Sequence, residues 1–328
     1  MLLFKIIQKE AAMKKNTKHF LLLTTAAIAS IYSYNRIISD ISSAKNLLSD
    51  GSGTYYNWKF GNIFYNKRGK GNPVLLIHDT NVSSSAFEWY RLVKRLEKDH
   101  TVYTLDLLGC GRSDKPALTY TNYMYVQLLT AFAHDVIGKP TDIIATGYSS
   151  TFTLLANQFD PDMFQHIILV NPPYPKETAA SVSCMDKLRK NIFEFPLLGT
   201  FLYNISHTRS NIDLEFKGSY FKKPQSIVTK LKDIYYEAAH SKNSAGKYLY
   251  ASQVGNYMNV PIEHAVRKLD KPVHIIASQE VKSNMNLAKS YRQLNKNIET
   301  HYLNGCKQLP QLEIPEKFLS TVYGIFDH

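Results

Sequence analysis

The feature that most restricts the fold is a regular alternation of short apolar runs and amphipathic segments between residues 73 and 172. The apolar runs "PVLLIHD", "TVYTLDLLG", "TDIIATG" and "HIILVNP" have the continuous hydrophobicity of strands buried on both faces. Segments with helical periodicity separate these runs, as in "SSSAFEWYRLVKRLEKD". This order predicts an α/β fold with a doubly wound, mostly parallel sheet and helices on both sides.

The alternation is interrupted once. From residue 174 to about residue 264 the sequence is helical in pattern, lysine-rich and aromatic, without a buried-strand run. Strand and helix patterns resume at "KPVHIIASQ" and continue to the C-terminus. We therefore predict a helical cap at residues 174–264, inserted into a core formed by residues 54–173 and 265–328. An antiparallel hairpin, "TYYNWKFGNIFYNKRGKG", begins the core.

The N-terminal segment has the pattern of a membrane signal. Lysines within residues 14–18 precede an uncharged run at residues 20–35. We predict a signal-anchor, a transmembrane segment, at residues 1–38, then a stalk at residues 39–53 and a domain on the extracytoplasmic side. Two alternatives stay open. Cleavage at residues 27–29 would release a secreted protein, and the run could instead be a buried helix.

Composition restricts the partners more than it identifies them. The 328 residues carry a formal net charge of +12, which suits anionic surfaces, but the lysines are spread along the whole chain. No nucleic-acid-binding motif accompanies them, so we predict no nucleic-acid partner. The three cysteines form neither a disulfide framework nor a metal pattern, and no nucleotide-binding glycine loop is present. We predict no cofactor and no metal; the oligomeric state stays open.

Three loops at the ends of predicted strands carry the motifs that indicate chemistry. They are "LLIHDTNVSSSAFEW", "DLLGCGRSDKP" and "ATGYSSTF". The last of these contains the pattern G-x-S-x-T at a strand-to-helix turn. A serine there would be exposed beside a helix N-terminus, where backbone N–H groups favour an anion. Taken alone, the pattern also fits an ordinary helix N-cap.

Together these loops and the cap resemble the α/β-hydrolase fold family, in its capped esterase, lipase and dehalogenase-like branch, over residues 55–326. The resemblance implies a serine hydrolase of small esters, lipids or amides, with Ser149 as nucleophile. It also implies an oxyanion hole formed by the backbone N–H groups of Thr80 and Ser150. Asp79 stands where the family has glycine.

The other two positions of the implied catalytic triad are altered. The family's acid follows the strand after the cap, where this chain has Val281, with Glu280 one residue earlier. Glu280 is therefore the candidate acid. A histidine base is expected just before "LPQLEIPE", but the residue there is Gln308, whose amide has no useful basicity. We predict a degenerate triad of Ser149, Glu280 and Gln308, with impaired activity.

The altered triad leaves more than one function open. The first is a hydrolase that acts on a small-molecule substrate. The second is a non-catalytic protein that binds an apolar small molecule under the cap. A third, an envelope-associated interaction protein, rests only on the net charge. Some cap aromatics are candidates to line a ligand pocket, although packing of cap against core explains them as well. These are Phe193, Phe195, Tyr203, Tyr235 and Tyr236.

Overall fold

The computed structural model describes residues 2–49, 52–226 and 229–327, which form one sheet flanked by helices. The strands are β1 (Thr54–Trp58), β2 (Gly61–Arg68), β3 (Asn72–Ile77), β4 (His100–Leu105), β5 (Thr141–Thr146), β6 (Phe164–Val170), β7 (Val273–Ser278) and β8 (Ile298–Leu303). The α-helices are α1 (Leu2–Ser43), α2 (Tyr90–Leu96), α3 (Asn122–Phe132), α4 (Ser149–Phe159), α5 (Cys184–Glu194), α6 (Leu198–Ser206), α7 (Arg209–Glu215), α8 (Thr229–Ser244), α9 (Lys247–Val254), α10 (Glu263–Arg267), α11 (Lys282–Leu294), α12 (Pro310–Glu313) and α13 (Pro315–Phe326).

The sheet confirms the predicted fold class. Its strand order is β1-β2-β4-β3-β5-β6-β7-β8. The β1–β2 and β2–β4 pairs are antiparallel, and the remaining pairs are parallel. All six residues of β5 are buried, as are the last five of β3, because helices cover both faces of these central strands. The carboxyl ends of β3 to β8 therefore share one edge, where such sheets place their ligand sites.

Helices α5 to α10 occupy the interval between β6 and β7, and the described part of that interval contains no strand. The helical cap predicted at residues 174–264 falls in this interval, and we refer to these helices as the cap. An aromatic cluster of the cap, which includes Phe216, Phe221 and Tyr235, packs against Leu309. Because Leu309 follows β8, the cap reaches the loop in which the missing base was expected.

The N-terminal helix is longer and more closely attached to the domain than predicted. Beyond the end of α1, the Leu47 backbone N–H donates to the Glu237 carboxylate of α8 at 2.7 Å. Ser42, near the end of α1, is buried. Residues 39–49, predicted to be a stalk, therefore pack on the cap as part of the folded domain. The rest of that predicted stalk includes residues 50 and 51, which lie outside the described residues.

Within the described residues, no helix combines the length and the apolarity that a membrane span requires. The uncharged run at residues 20–35 is shorter than the roughly 20 residues that a helical span needs. It also contains Thr24 and Ser30, whose hydroxyls donate to backbone carbonyls one turn earlier. The prediction of a transmembrane segment at residues 1–38 is therefore not supported.

Candidate active site

The strand-to-helix turn after β5 has its left-handed residue at Gly147, not at Ser149. Gly147 has a φ of +55°, whereas Ser149 is not among the non-glycine residues with positive φ and begins α4. In the nucleophile elbow of an α/β hydrolase, the nucleophile itself occupies the strained position between strand and helix. By backbone conformation, the residue at this position is Gly147, which has no side chain.

Ser149 and Ser150 are packed into the first turn of α4. Ser149 is completely buried, and its Oγ donates to the His78 carbonyl at 2.5 Å. Ser150 is also completely buried, and its backbone N–H donates to the Gly147 carbonyl at 3.2 Å. The structure therefore gives the predicted nucleophile no exposed surface, and it directs the predicted Ser150 oxyanion donor to another backbone group.

Two backbone N–H groups converge beside Gly147. Those of Thr80 and Tyr148 both donate to Asp79 Oδ1, at 2.8 Å and 2.9 Å. One donor comes from the loop after β3, and the other from the residue that follows the left-handed position. These are the two positions that form the oxyanion hole of an α/β hydrolase. The structure thus pairs the predicted donor Thr80 with Tyr148 rather than with Ser150. We call these two N–H groups the donor pair.

The Asp79 side chain fills the donor pair. A Cβ atom built on Gly147 would lie only 2.5 Å from Asp79 Cγ, so the carboxylate stands where a side chain at position 147 would begin. A glycine at position 79, as in the family, would leave this space open. In this conformation Asp79 therefore excludes both a nucleophile at position 147 and a substrate carbonyl at the donor pair.

Two carboxyl groups near the donor pair have raised pKa values. Burial raises the pKa of Asp79 to about 6, although the hydrogen bonds from Tyr148 and Thr80 act in the opposite direction. Glu88 is only 1% exposed, and burial raises its pKa to about 8, with the negative charge of Asp79 adding to the effect. Glu88 Oε1 accepts a hydrogen bond from the Tyr235 hydroxyl of the cap at 2.8 Å. Burial therefore disfavours the charged form of both carboxyl groups, and it does so more strongly at Glu88 than at Asp79.

His78 has a structural role in the same loop. Its Nε2 accepts a hydrogen bond from the Leu107 backbone N–H at 3.0 Å, so the ring proton lies on Nδ1, 2.6 Å from the Asp79 carbonyl. Burial lowers the pKa of His78 to about 4. The neutral ring uses both nitrogens to hold the loop, and it cannot serve as a base for Ser149.

Gln308 lies between β8 and α12, where the sequence places the missing histidine. Its backbone carbonyl accepts a hydrogen bond from Asn171 Nδ2 at 3.0 Å. Asn171 has a φ of +45°, and its Oδ1 also accepts from the Ser278 backbone N–H at 2.9 Å. Asn171 therefore ties the ends of β6 and β7 to the Gln308 loop. Among the described residues, no hydrogen bond joins the Gln308 side chain to Ser149 or Glu280.

Glu280, the candidate acid, is engaged elsewhere. Its Oε1 lies 2.5 Å from Lys222 Nζ of the cap, and it also accepts from the Gly305 backbone N–H at 3.2 Å. The Lys222 hydrogen bond lowers the pKa of Glu280. The structure thus does not bring Ser149, Glu280 and Gln308 together as a hydrogen-bonded triad.

The candidate ligand-lining aromatics of the cap mostly pack inside the protein. Tyr203, Tyr235 and Tyr236 are at most 5% exposed. Phe193 packs against the main hydrophobic core, whereas Phe195 is 60% exposed. Packing of cap against core therefore accounts for the three tyrosines and for Phe193.

Sequence reasoning missed Gly147 and Tyr148. A signal for them exists, because Ala145 and Ser149 are small residues two positions on either side of Gly147. This small-x-Gly-x-small pattern has the spacing of G-x-S-x-G with glycine at its centre. It overlaps the G-x-S-x-T pattern centred on Ser149, and only the backbone conformation distinguishes the two.

A family model described as the alpha/beta hydrolase family matches residues 74–320, more than half of the chain. The chain belongs to the α/β hydrolase family. Its matched relatives include the (E)-2-((N-methylformamido)methylene)succinate hydrolase of Acinetobacter baylyi. That enzyme is 25% identical over 116 residues, which are 35% of this chain and 43% of the relative. The chain spans less than half the length of the curated relatives it matches.

Solved structures of other proteins show the same fold. Cfl2 from Burkholderia cenocepacia has a TM-score of 0.68 and 14% identity, covering 84% of this chain and 95% of its own. A membrane phospholipase A, described as a bacterial virulence factor, has a TM-score of 0.66 and 18% identity. That match covers 95% of this chain and 98% of the phospholipase. The family and its hydrolase members support an enzyme of the α/β-hydrolase type.

Proposed function

We propose that this member of the α/β hydrolase family binds a small, mostly apolar molecule beside its cap and does not hydrolyse esters through Ser149. The filled donor pair carries the proposal. The N–H groups of Thr80 and Tyr148, which would stabilise an oxyanion, both donate to Asp79 Oδ1. A substrate carbonyl would have to displace the Asp79 carboxyl group from them.

Two further groups that serine catalysis needs are compromised. The hydroxyl of Ser149 is buried and donates to a backbone carbonyl, so it is not presented to a substrate. Gln308 cannot accept the serine proton or return it to a leaving group. Loss of one member of a catalytic triad already removes most of the rate enhancement, leaving what binding and the oxyanion hole supply. Here the oxyanion hole is occupied as well.

A binding role is consistent with the residues that are accessible to solvent beside the donor pair. Asp79, Gly147, Tyr148 and Gln308 are partly exposed, whereas Ser149 is not. They lie after the carboxyl ends of β3, β5 and β8, the edge at which open α/β sheets bind ligands. The Tyr148 ring offers apolar contact, and the Asp79 carboxylate can accept a hydrogen bond from a ligand hydroxyl or amine.

Hydrolysis of small esters, lipids or amides is the second candidate, because the matched relatives include hydrolases and the donor pair keeps its positions. It requires Asp79 to leave the donor pair and another group to act as base. Hydrolysis of p-nitrophenyl esters by the wild type and by Ser149→Ala separates the candidates. We expect both proteins to be equally inactive; turnover that Ser149→Ala abolishes would establish the second candidate.

Binding is tested by titrating the protein with an apolar fluorescent probe such as Nile red. Tyr148→Ala removes the aromatic ring beside the donor pair, and we expect it to weaken probe binding. Tyr123→Ala is the matched control, because Tyr123 is 52% exposed on α3. If both variants bind the probe as tightly as the wild type does, the surface beside the donor pair is not the ligand site.

We also propose that α1 attaches the protein to a membrane, with the domain on the extracytoplasmic side. Phe20, Leu21, Leu22 and Leu23 are between 59% and 69% exposed, and basic residues precede them in the sequence. We expect Leu22→Asp to reduce co-sedimentation of the full chain with anionic vesicles. Leu214→Asp in α7 alters a leucine that is 65% exposed, and it should have no effect. Equal loss in both variants would contradict attachment through α1.

A further inference from the structure

A second cluster of chemically active side chains lies towards the amino-terminal ends of β7 and β8, away from the donor pair. His274 is the second residue of β7 and pairs in register with Glu299 of β8. His301 follows Glu299 by two positions. Because side chains alternate along a strand, Glu299 and His301 project from the same face of β8, and His274 projects from that face of its neighbour.

Ligand atoms of the three side chains converge on a common point. His274 Nδ1 lies 3.2 Å from His301 Nε2 and 3.5 Å from Glu299 Oε2. All three ligand atoms lie within 4.8 Å of one another. Metal–ligand bonds of about 2.0–2.1 Å in a tetrahedron separate neighbouring ligand atoms by about 3.4 Å. Two of the three separations are close to that value without any rearrangement.

We propose that His274, Glu299 and His301 form a binding site for a divalent transition-metal ion of the Zn²⁺ class. Two imidazoles and one carboxylate are a ligand set that zinc uses when its fourth position is left to water. The same set is too rich in nitrogen for Mg²⁺ or Ca²⁺, which prefer oxygen ligands. Such an ion would join the edge strand β8 to β7.

The surroundings leave room for an ion and its water. The three ligands line a surface pocket of about 530 Å³, together with Gly324 of α13. A Cβ atom built on Gly324 would meet nothing within 4 Å, so α13 does not close the pocket. His166 lines the same pocket, where its Nδ1 lies 2.7 Å from Asp142 Oδ1.

The competing explanation is a hydrogen bond between two neutral histidines, with Glu299 beside them and no ion. Equilibrium dialysis of the untagged full chain against Zn²⁺ distinguishes the two explanations. Co²⁺, followed by its visible absorption, reports the coordination geometry. We expect one ion per chain, tetrahedral Co²⁺ bands, and a rise in Tm with added Zn²⁺.

Variants assign the ligands. We expect His301→Ala and Glu299→Gln each to weaken Zn²⁺ binding at least tenfold, roughly the smallest cost of removing even an outer-shell partner. The Glu299 side chain is 57% exposed, so Glu299→Gln keeps the test valid if His301→Ala fails to fold. His134→Ala is the control, since the His134 side chain is 61% exposed and pairs with Asp160 elsewhere.

Two results would overturn the site. In the first, Glu299→Gln and the double variant His274→Ala/His301→Ala both bind Zn²⁺ as tightly as the control His134→Ala does. The other is a wild type that binds no more Zn²⁺ than the double variant does. Either result leaves a hydrogen-bonded histidine pair as the explanation of the short contact. None of these readouts depends on ester hydrolysis or on Asp79.

Discussion

Asp106 and Asp79 follow neighbouring strands at the same edge of the sheet, but the protein holds them in opposite ways. The Asp106 carboxylate is completely buried, and it accepts hydrogen bonds from Arg112 Nε at 2.7 Å and from the Ala86 backbone N–H at 2.7 Å. Asp79 is partly exposed, and its Oδ1 accepts from the donor pair. One carboxylate has a guanidinium partner, whereas the other is held by backbone dipoles.

The two pKa shifts reflect this difference. Burial alone would raise the pKa of Asp106, but the charge and hydrogen bonds of Arg112 outweigh burial and lower it. Burial dominates at Asp79 and raises its pKa to about 6. Asp106 belongs to "DLLGCGRSDKP", one of the motifs on which the family resemblance rests, and its hydrogen bonds join the loop after β4 to the segment that begins at Ala86. The comparison teaches that two aspartates at the same edge of a sheet can have opposite pKa shifts, according to whether a guanidinium or only backbone N–H groups face them.

The largest effect on stability is expected at Glu88, the other carboxyl group near the donor pair whose pKa is raised. The pKa of Glu88 is about 8 in the folded protein and 4.5 in the unfolded chain. Between these pH values the folded state keeps the Glu88 proton, whereas the unfolded state releases it. Stability therefore falls as pH rises from 4.5 to 8, by at most about 5 kcal/mol at 1.36 kcal/mol per pKa unit. Urea unfolding of the wild type and Glu88→Gln across this range measures it. A parallel pH dependence in both proteins would contradict a protonated Glu88.

We expect Asp106→Ala to destabilise the protein by roughly 3–5 kcal/mol, because it removes the buried carboxylate that balances the charge of the Arg112 guanidinium. The side chain of Arg112 is only 13% exposed, so water cannot fully replace the carboxylate. Urea denaturation measures the loss. The double variant Asp106→Ala/Arg112→Met also removes the guanidinium charge that Asp106 balances, and it should recover part of the lost stability. A loss below about 1 kcal/mol in the single variant would show that the network is not structural.

The donor pair gives a smaller effect. Asp79→Gly removes the acceptor of two backbone N–H groups, and we expect it to cost roughly 2 kcal/mol. Asp79→Asn keeps an oxygen acceptor at the same place and removes a charge that burial disfavours, so it should be at least as stable as the wild type at pH 7. Amide hydrogen exchange at Thr80 and Tyr148 should accelerate in Asp79→Gly and not in Asp79→Asn. Equal exchange in the two variants would mean that Asp79 does not occupy the donor pair.

The smallest effect is expected at Ser149. Ser149→Ala removes one hydrogen bond, to the His78 carbonyl, and should cost about 1 kcal/mol. Thermal unfolding measures this change. An activated nucleophile in a strained turn often destabilises the fold, so a gain in stability in Ser149→Ala would argue against our description.

The sequence predicted the fold because its signals are local. Continuous apolar runs mark strands buried on both faces, and β3, β5 and β6 appear where "PVLLIHD", "TDIIATG" and "HIILVNP" place them. Gln308 also lies after β8 as expected. Its position could be predicted because the strand pattern before it and the residue type are both visible in the sequence. In the structure, Ser149, Glu280 and Gln308 do not form a hydrogen-bonded triad. Such an arrangement depends on backbone conformation and on partners distant in sequence, which the sequence pattern does not give.

The remaining features of the two sites could not be read from the sequence. Which residue of "ATGYSSTF" takes positive φ depends on the space beside it, and that space is filled by Asp79 from another loop. His274 and Glu299 are brought together only by the register between β7 and β8. The packing of residues 39–49 on the cap likewise depends on long-range contacts such as that of Leu47 with Glu237.

The most direct test of the central claim is labelling of the full chain with a fluorophosphonate, which reacts with activated serine nucleophiles, followed by mapping of the modified residue by mass spectrometry. A buried Ser149, a glutamine at position 308 and an occupied donor pair predict no adduct on Ser149 in the wild type. Covalent modification of Ser149 at a rate typical of serine hydrolases would contradict the account, since it requires an exposed, activated hydroxyl and a vacant oxyanion hole.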